Sequence, residues 1–470
     1  MKPTTADQQI RHLYWRAGFG PLPQNGEAPK SIRKAVQRLF EASETVEMLK
    51  SPMPVFGSAM QPQMLSPEQR KQQQQERRQA LMQLNKAWLN QMAVSEAQLR
   101  EKMTLFWHGH FACRLPVPQL LLLQNNTLRK HALGNFPDLL MAVAKDPAML
   151  QFLNNQQNRK QQPNENFARE VLELFTVGRG NYSEQDIKEA ARAFTGWGFN
   201  LKGEFVFRER QHDFGVKTFM GQTGTFNGDD ILKIILKNPQ TATFLTTKLY
   251  TFFVSDTPDP ERIKKLSASF YQSGYNIAGL LEQIFTSDWF YSPEVMGARI
   301  KSPVELLVGL QRMFDVDYTD ERSALILQRA LGQELFMPPN VSGWPGGCSW
   351  IDSSTLAFRL RIGPAILQAA ELEVALKPDD DTEPAKPLAK RSDGLRVVQA
   401  RASMVSLSQQ MEKVSEKDLL PTLSQYLLQV QPPQQTLQLI QQSIPASASK
   451  PEKVHLIAQR LLSLPEYQLC

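Results

Sequence analysis

Helix punctuation recurs along the whole chain and constrains its fold to be mainly α. Ser95-Glu96-Ala97-Gln98 has the form of a capping box, in which serine and glutamine side chains satisfy free N–H groups of a first helical turn, and Leu99, Met103, Phe106 and His110 follow at helical spacing. Ser183-Glu184-Gln185-Asp186 repeats the signal, with Ile187, Ala190, Ala191 and Phe194 as the apolar stripe and Gly196 as the stop. Further helices are expected around 30–43, 65–91, 119–131, 229–236, 241–253, 276–286, 303–314 and 319–331. The exception lies between 199 and 219, where Phe205-Val206-Phe207 and Thr218-Phe219-Met220 read as strands and Lys202-Gly203 as a turn, so a small β-hairpin is expected. The predicted organisation is a large multi-helix domain over 1–375 with this hairpin insertion near 199–220, a polar linker or loop over 376–396 and a helical C-terminal unit over 397–470. The linker reading rests on Asp379-Asp380-Asp381 with Pro384 and Pro387, a stretch that buries little surface.

Composition narrows the partners. The 53 Lys+Arg against 47 Asp+Glu give a formal charge of +6 over 470 residues, a mild excess with no concentrated nucleic-acid footprint. Basic runs such as Arg70 to Arg78 are interleaved with Gln and Glu and read as a solvated helix face. Three cysteines, Cys113, Cys348 and Cys470, lack the spacing of a zinc site or redox pair and argue against a disulfide framework. The apolar run Leu139 to Ala144 is far short of the ~20 residues that cross a bilayer, so no membrane span is expected. The first twenty residues carry Arg11, His12 and Arg16 and no uninterrupted apolar core. The chain as given therefore reads as cytoplasmic, or periplasmic if an export signal has been removed.

The segment from Pro163 to Gly178 holds the densest polar patterning. With Asn164 as N-cap, steps of ~100° place Glu165, Asn166, Arg169, Glu170 and Glu173 in one arc and Phe167, Val171, Leu174 and Phe175 in the other. Glu170 and Glu173 are three residues apart on one helix face, a spacing by which two carboxylates reach one metal or one proton-transfer site. Arg169 beside them would orient an anionic group. The competing reading is a solvated face laced by Glu165–Arg169 and Arg169–Glu173 ion pairs.

Four other segments invite a chemical reading. In Trp107-His108-Gly109-His110-Phe111 the two histidines share one side of an extended segment and would bind one metal; on a continuous helix they diverge by about 200°, and the phase from Ser95 makes His110 a core residue. Gln211-His212-Asp213-Phe214, with Lys217, joins a general-base candidate, a carboxylate and a cation within a short span, an arrangement that ordinary turns also show. Gly221, Gly224 and Gly228 lead into Asp229-Asp230 without the spacing or lysine of a phosphate loop, and read as turn chemistry. Gly343-Trp344-Pro345-Gly346-Gly347-Cys348-Ser349-Trp350 holds two tryptophans on a glycine-rich turn, either as a stacking platform for a ligand or as core plugs. Cys348 has no flanking histidine or lysine to activate it.

Taken together, His12-Leu13 with Arg16-Ala17-Gly18-Phe19-Gly20, Phe106-Trp107-His108 to Phe111, Asp146-Pro147-Ala148-Met149 and the 164–176 helix resemble the bacterial domain-of-unknown-function 1800 family. The resemblance continues through Tyr182, Asp186, Thr195-Gly196-Trp197, His212-Asp213-Phe214 with Lys217, Gly221 to Asp230, Lys301-Ser302-Pro303, Pro338 to Trp350 and Arg359. It implies a protein of a kind often exported, encoded beside a sulfatase- or alkaline-phosphatase-like companion, and it names no reaction. It also turns attention to a polar pocket. The expectation is an enzyme-like protein, a metal-assisted or acid/base hydrolase, with Glu170, Glu173, Arg169, His212 and Asp213 as the catalytic set. His108, His110 and Glu170 would hold a divalent metal. Asn164, Glu165, Trp197, Lys217, Trp344 and Trp350 would form the ligand or partner surface. The alternative is a non-catalytic binding or maturation partner of the sulfatase- or alkaline-phosphatase-like protein, with Trp344 and Trp350 at the contact.

Overall fold

In the computed structural model, which describes residues 5–21, 29–50, 66–374 and 396–470, the chain is 61% helical, with only short two-stranded sheets. Its helix starts follow one recipe. Ser66, Asp146, Asn238, Asp259 and Ser302 each accept a backbone N–H of a first turn whose next residue is proline: Pro67, Pro147, Pro239, Pro260 and Pro303. The side-chain oxygen satisfies an orphan donor, and proline supplies a preset φ where no N–H is needed. The Ser183 box forms as expected and opens the helix Glu184–Ala193. Helices Ile32–Ala42, Pro67–Val94, Pro118–His131, Gly228–Leu236, Ile277–Phe285 and Pro303–Phe314 lie where the pattern placed them. Helices Ala6–Ala17, Phe136–Ala144, Pro260–Gln272 and Ser353–Gln368 add to them.

Three expectations are corrected. Ser95 does not cap the next helix: it closes Pro67–Val94 by donating its N–H to Gln91, and the helix Gln98–His110 starts at Ala97 with no side-chain cap. The segment expected as one α-helix from Asn164 is a short α-helix, Asn166–Glu170, that widens into a π-helix, Val171–Thr176. Asn164 still accepts the N–H of Asn166, but as a turn ahead of the helix. The β region holds two hairpins rather than one: Trp197–Phe199 pairs with Phe205–Phe207, and Lys217–Phe219 pairs with Gln222–Gly224. The linker expected over 376–396 lies outside the described residues except for Arg396, which opens a strand paired with Leu372–Val374. The C-terminal part contributes helices Val405–Met411, Leu419–Leu427, Gln434–Ser443 and Lys450–Leu462. Leu423, Leu427 and Leu461 share one core with Leu306, Leu310 and Phe314 of the preceding helices.

The helix Gln98–His110 is the pivot of the fold. Its residues are buried on every side except at Gly109, so it runs through the interior rather than lying on it with one face. Its polar side chains are therefore tied to partners. Arg100 caps the carbonyls of Ser43 and Arg129, Glu101 takes the Arg129 guanidinium, and Lys102 meets Glu305 and the Gly18 carbonyl. Its last turn opens onto the site.

Candidate functional site

The C-terminal turns of Gln98–His110, the helix Pro239–Phe253 and the loop 342–350 enclose a cavity of about 610 Å3. Glycines set its shape. Gly343 (φ +80°) packs so tightly on the Gly109 carbonyl that a Cβ would sit 2.3 Å from that oxygen, and Gly347 (φ +58°) leaves a Cβ only 2.3 Å from the Asp256 carboxylate. Gly109 itself faces open space, where an added Cβ would meet nothing within 4 Å. We expect Gly347→Ala to displace the loop and lower thermal stability by about 1–3 kcal/mol, through the left-handed φ and the blocked carboxylate. Calorimetry checks this, and an unchanged melting temperature would show that the loop yields freely.

Trp344 and Trp350 both line the cavity, the first half-buried and the second 5% exposed. Leu105, Phe106 and Phe252 complete the apolar wall. The polar side is made by His110, Lys248, Asp256 and Arg299, with Thr247 and Thr251 one turn apart beside Lys248. His110 Nε2 lies 3.1 Å from the carbonyl oxygen of Phe175, which only accepts, so Nε2 carries the proton and Nδ1 keeps its lone pair. That lone pair faces Lys248 Nζ at 3.5 Å, and Lys248 also donates to Leu174 O at 3.2 Å. Burial, then the neighbouring Lys248, holds the imidazole well below its usual pKa, so His110 is neutral. Burial brings the Lys248 ammonium down to about 8.

The π-helix provides the carbonyls. Val177 N–H reaches back five residues to Leu172, and this wide last turn presents the Leu174 and Phe175 carbonyls to Lys248 and His110. The carboxy end of a helix carries partial negative charge and favours a cation there. Arg299 is the second cation. Its side chain is 7% exposed, its Nε lacks a hydrogen-bond partner, its guanidinium lies 5.3 Å over Phe252, and Asp256 Oδ1 stands 3.8 Å away.

The expected metal set does not assemble. The helix continues through Gly109, so the two imidazoles diverge: His108 accepts the Phe336 N–H at 3.0 Å among Trp88, Phe336 and Trp344, and burial takes its pKa down to about 3. Among the described residues no group of three or more His, Cys, Asp or Glu is placed to hold a metal ion, so His108, His110 and Glu170 form no ligand set. The charged arc of the 164–176 segment points elsewhere. Arg169 is clasped by Glu184 and Glu165, and Glu173 by Arg179 and the Tyr182 hydroxyl, whose hydrogen bonds hold its carboxyl below the usual range. Glu170 is half-buried, and burial, then Glu173, raises its pKa. These residues do not line the cavity, so the segment serves it through its carboxy-terminal carbonyls rather than its carboxylates.

His212, Asp213 and Lys217 form a closed turn beside the hairpins, and they too lie outside the cavity lining. His212 Nδ1 contacts the Thr195 carbonyl at 2.8 Å between the rings of Phe207 and Phe214. Asp213 takes the Arg192 guanidinium, and Lys217 donates to the carbonyls of Asp213 and Gly215. Trp197 is buried against Phe194 and Phe205. Of the residues singled out in the sequence, His110, Trp344, Trp350 and Cys348 line the cavity; Lys248, Asp256 and Arg299 were missed. Lys248 left a readable trace, since it is the one charged residue of the fifteen in Pro239–Phe253.

The geometry defines a mainly helical protein with an open cleft that joins an aromatic wall to a largely buried basic edge. The chain belongs to the family described as "Protein of unknown function (DUF1800)", whose model matches residues 12–469. No curated protein and no solved structure matches it. No helix among the described residues is long and apolar enough to cross a membrane.

Proposed function

We propose that the protein is an enzyme-like molecule that binds a small substrate in the cleft beneath the 342–350 loop and performs acid/base chemistry of a hydrolytic kind, with Lys248 as the proton-exchanging group and His110 as its positioning residue. The observation that carries this is the Lys248–His110 contact inside the cavity. Below pH ~8 Lys248 gives a proton to a leaving atom, and it regains one from the attacking water; a group with a pKa near the working pH does both efficiently. His110 has its tautomer set by Phe175 and turns its lone pair to the ammonium, fixing its direction. Around Lys248 stand His110, the Leu174 carbonyl and the Phe244 ring, and among the described residues no carboxylate lies within ion-pair distance of it.

In 13C NMR of the reductively methylated protein, the lysine resonance that vanishes in Lys248→Met is expected to titrate near pH 8. A Lys248 signal that titrates with the surface lysines would sink the proposal. The partner reading needed Trp344 and Trp350 as exposed anchors. Both line the cleft; Trp350 is buried and Trp344 half-buried, so the cleft reading uses them as its wall.

A further inference from the structure

We infer that the cleft's ligand is a small organic anion with an apolar body: its carboxylate or phosphate oxygens sit on the Arg299 guanidinium and its body lies against Trp344, Phe106 and Phe252. The inference rests on the proposed cleft and names what enters it.

Charge sets the sign of the ligand. Two cations, Lys248 and Arg299, line the cavity against one lining carboxylate, Asp256, and His110 is neutral; Glu305, whose charge Arg299 also feels, lies outside the lining and is paired with Lys102. Arg299 is also held in place before any ligand arrives. Its backbone exchanges hydrogen bonds with Cys470, and its guanidinium rests on the Phe252 ring at 5.3 Å. Yet this nearly buried fork has an unpartnered Nε, and its only ion pair among the described residues, to Asp256, spans 3.8 Å, longer than a hydrogen bond. A buried guanidinium with spare donors is matched by a planar or tetrahedral oxyanion that takes two N–H groups at once. Lys248 and Phe252 are one helical turn apart on Pro239–Phe253, so the ammonium and the guanidinium stacked on Phe252 flank the same stretch of cleft.

Shape and polarity set the rest. A volume of about 610 Å3 exceeds what an inorganic anion fills, and it falls within the roughly 300–1,000 Å3 of small-molecule sites. The rest of the lining is largely aromatic, with Phe106, Phe252, Trp350 and Trp344, the last backed by His108 at 5.4 Å. A ligand that left it bare would leave apolar surface in water, and one with an apolar body covers it.

The test is isothermal titration of the full chain with four probes: phenyl phosphate, phenylacetate, benzyl alcohol and inorganic phosphate. We expect one of the two aromatic anions to bind at least about tenfold tighter than both the neutral alcohol and inorganic phosphate, and the tighter of the pair identifies the oxyanion. Arg299→Lys keeps the charge and loses the fork, and it should weaken that anion at least about tenfold. Gly109→Leu, built outward into open space from a helical position, should retain the wild-type melt and abolish binding of all four probes. Benzyl alcohol binding as tightly as the anions overturns the anionic end, and inorganic phosphate binding as tightly overturns the apolar body. Binding that survives in a folded Gly109→Leu overturns the location. Should Lys248 titrate near pH 8 while no probe binds, this inference falls and the acid/base proposal stands. Arg299-dependent binding beside an ordinary Lys248 titration gives the reverse.

Discussion

Glu101→Ala is expected to lower the unfolding free energy by about 3–5 kcal/mol, the cost of leaving a buried charge without its partner. The Glu101 carboxylate accepts four hydrogen bonds: from Arg129 Nε at 2.8 Å and Nη2 at 3.0 Å, from Trp88 Nε1 at 2.9 Å and from Gln91 Nε2 at 2.9 Å. Glu101 is 2% exposed and Arg129 0%. Without the carboxylate the guanidinium keeps only the side-chain oxygens of Asn125 and Asn126, and the indole N–H of Trp88 loses its acceptor in the core. Removing both charges, as in Glu101→Met with Arg129→Met, should recover most of the loss, because the double variant buries no unpaired ion. Urea unfolding of wild type, Glu101→Met, Arg129→Met and the double variant measures the coupling. A loss under ~1 kcal/mol for the single variant would mean that the pair behaves as a solvated surface bridge. The effect reaches the cleft because the same helix carries Gly109 and His110 at its far end.

Acid should weaken the fold through Glu305, and Glu305→Gln should remove that share of the weakening. Burial alone would raise the Glu305 carboxyl, but Lys102, Arg299 and the Ser302 N–H outweigh it and hold the pKa down to about 2. The folded value lies below the unfolded one of 4.5, so the stabilisation is complete above pH ~4.5 and is lost as pH falls toward ~2. At 1.36 kcal/mol per unit, this amounts to about 3 kcal/mol. The stability gap between wild type and Glu305→Gln should therefore narrow by about that amount between neutral pH and pH 2, as read from urea midpoints at fixed ionic strength. A gap that stays constant would show that the carboxylate draws no net stabilisation from Lys102 and Arg299. Lys102, whose ammonium also donates to the Gly18 carbonyl at 2.8 Å, links this pair to the first helix of the chain.

Much of the fold was legible because helix ends are local events. A serine, aspartate or asparagine cap acts within three residues of itself, so the starts at Pro303 and Gly228 and the box at Ser183 could be read one after another. Ser95 misled for the same reason. Its box pattern was sound, but the preceding helix ran on to Val94 and used Ser95 as its own end, so two local signals competed for one residue. The π-helix at Val171–Thr176 defeated a fixed 100° step, because one wide turn rotates every later side chain relative to the α phase. Glu173 was assigned to a pocket because two carboxylates on one helix face fit a shared site as well as a solvated, ion-paired surface, and it is found bonded to Arg179 and Tyr182.

The candidate site was legible only in its aromatic and imidazole parts. Trp344 and Trp350 stood out on a glycine-rich loop, and the spacing of those glycines follows from two contacts within the fold, with the Gly109 carbonyl and the Asp256 carboxylate. Asp256 and Arg299 sit in unremarkable sequence and gain meaning only from each other. Lys248 is 138 residues from His110, and no periodicity connects positions so far apart.

By itself, then, the sequence determined the helical class, most helix boundaries and the presence of an unusual tryptophan-glycine loop, since each depends on residues within a turn or two of one another. Only the tertiary structure decided which polar side chains look into a cavity and which are spent on ion pairs. Whether Glu173 or Lys248 meets a ligand depends on what packs beside it from distant parts of the chain, and on whether burial and those neighbours leave it a free hydrogen-bonding direction.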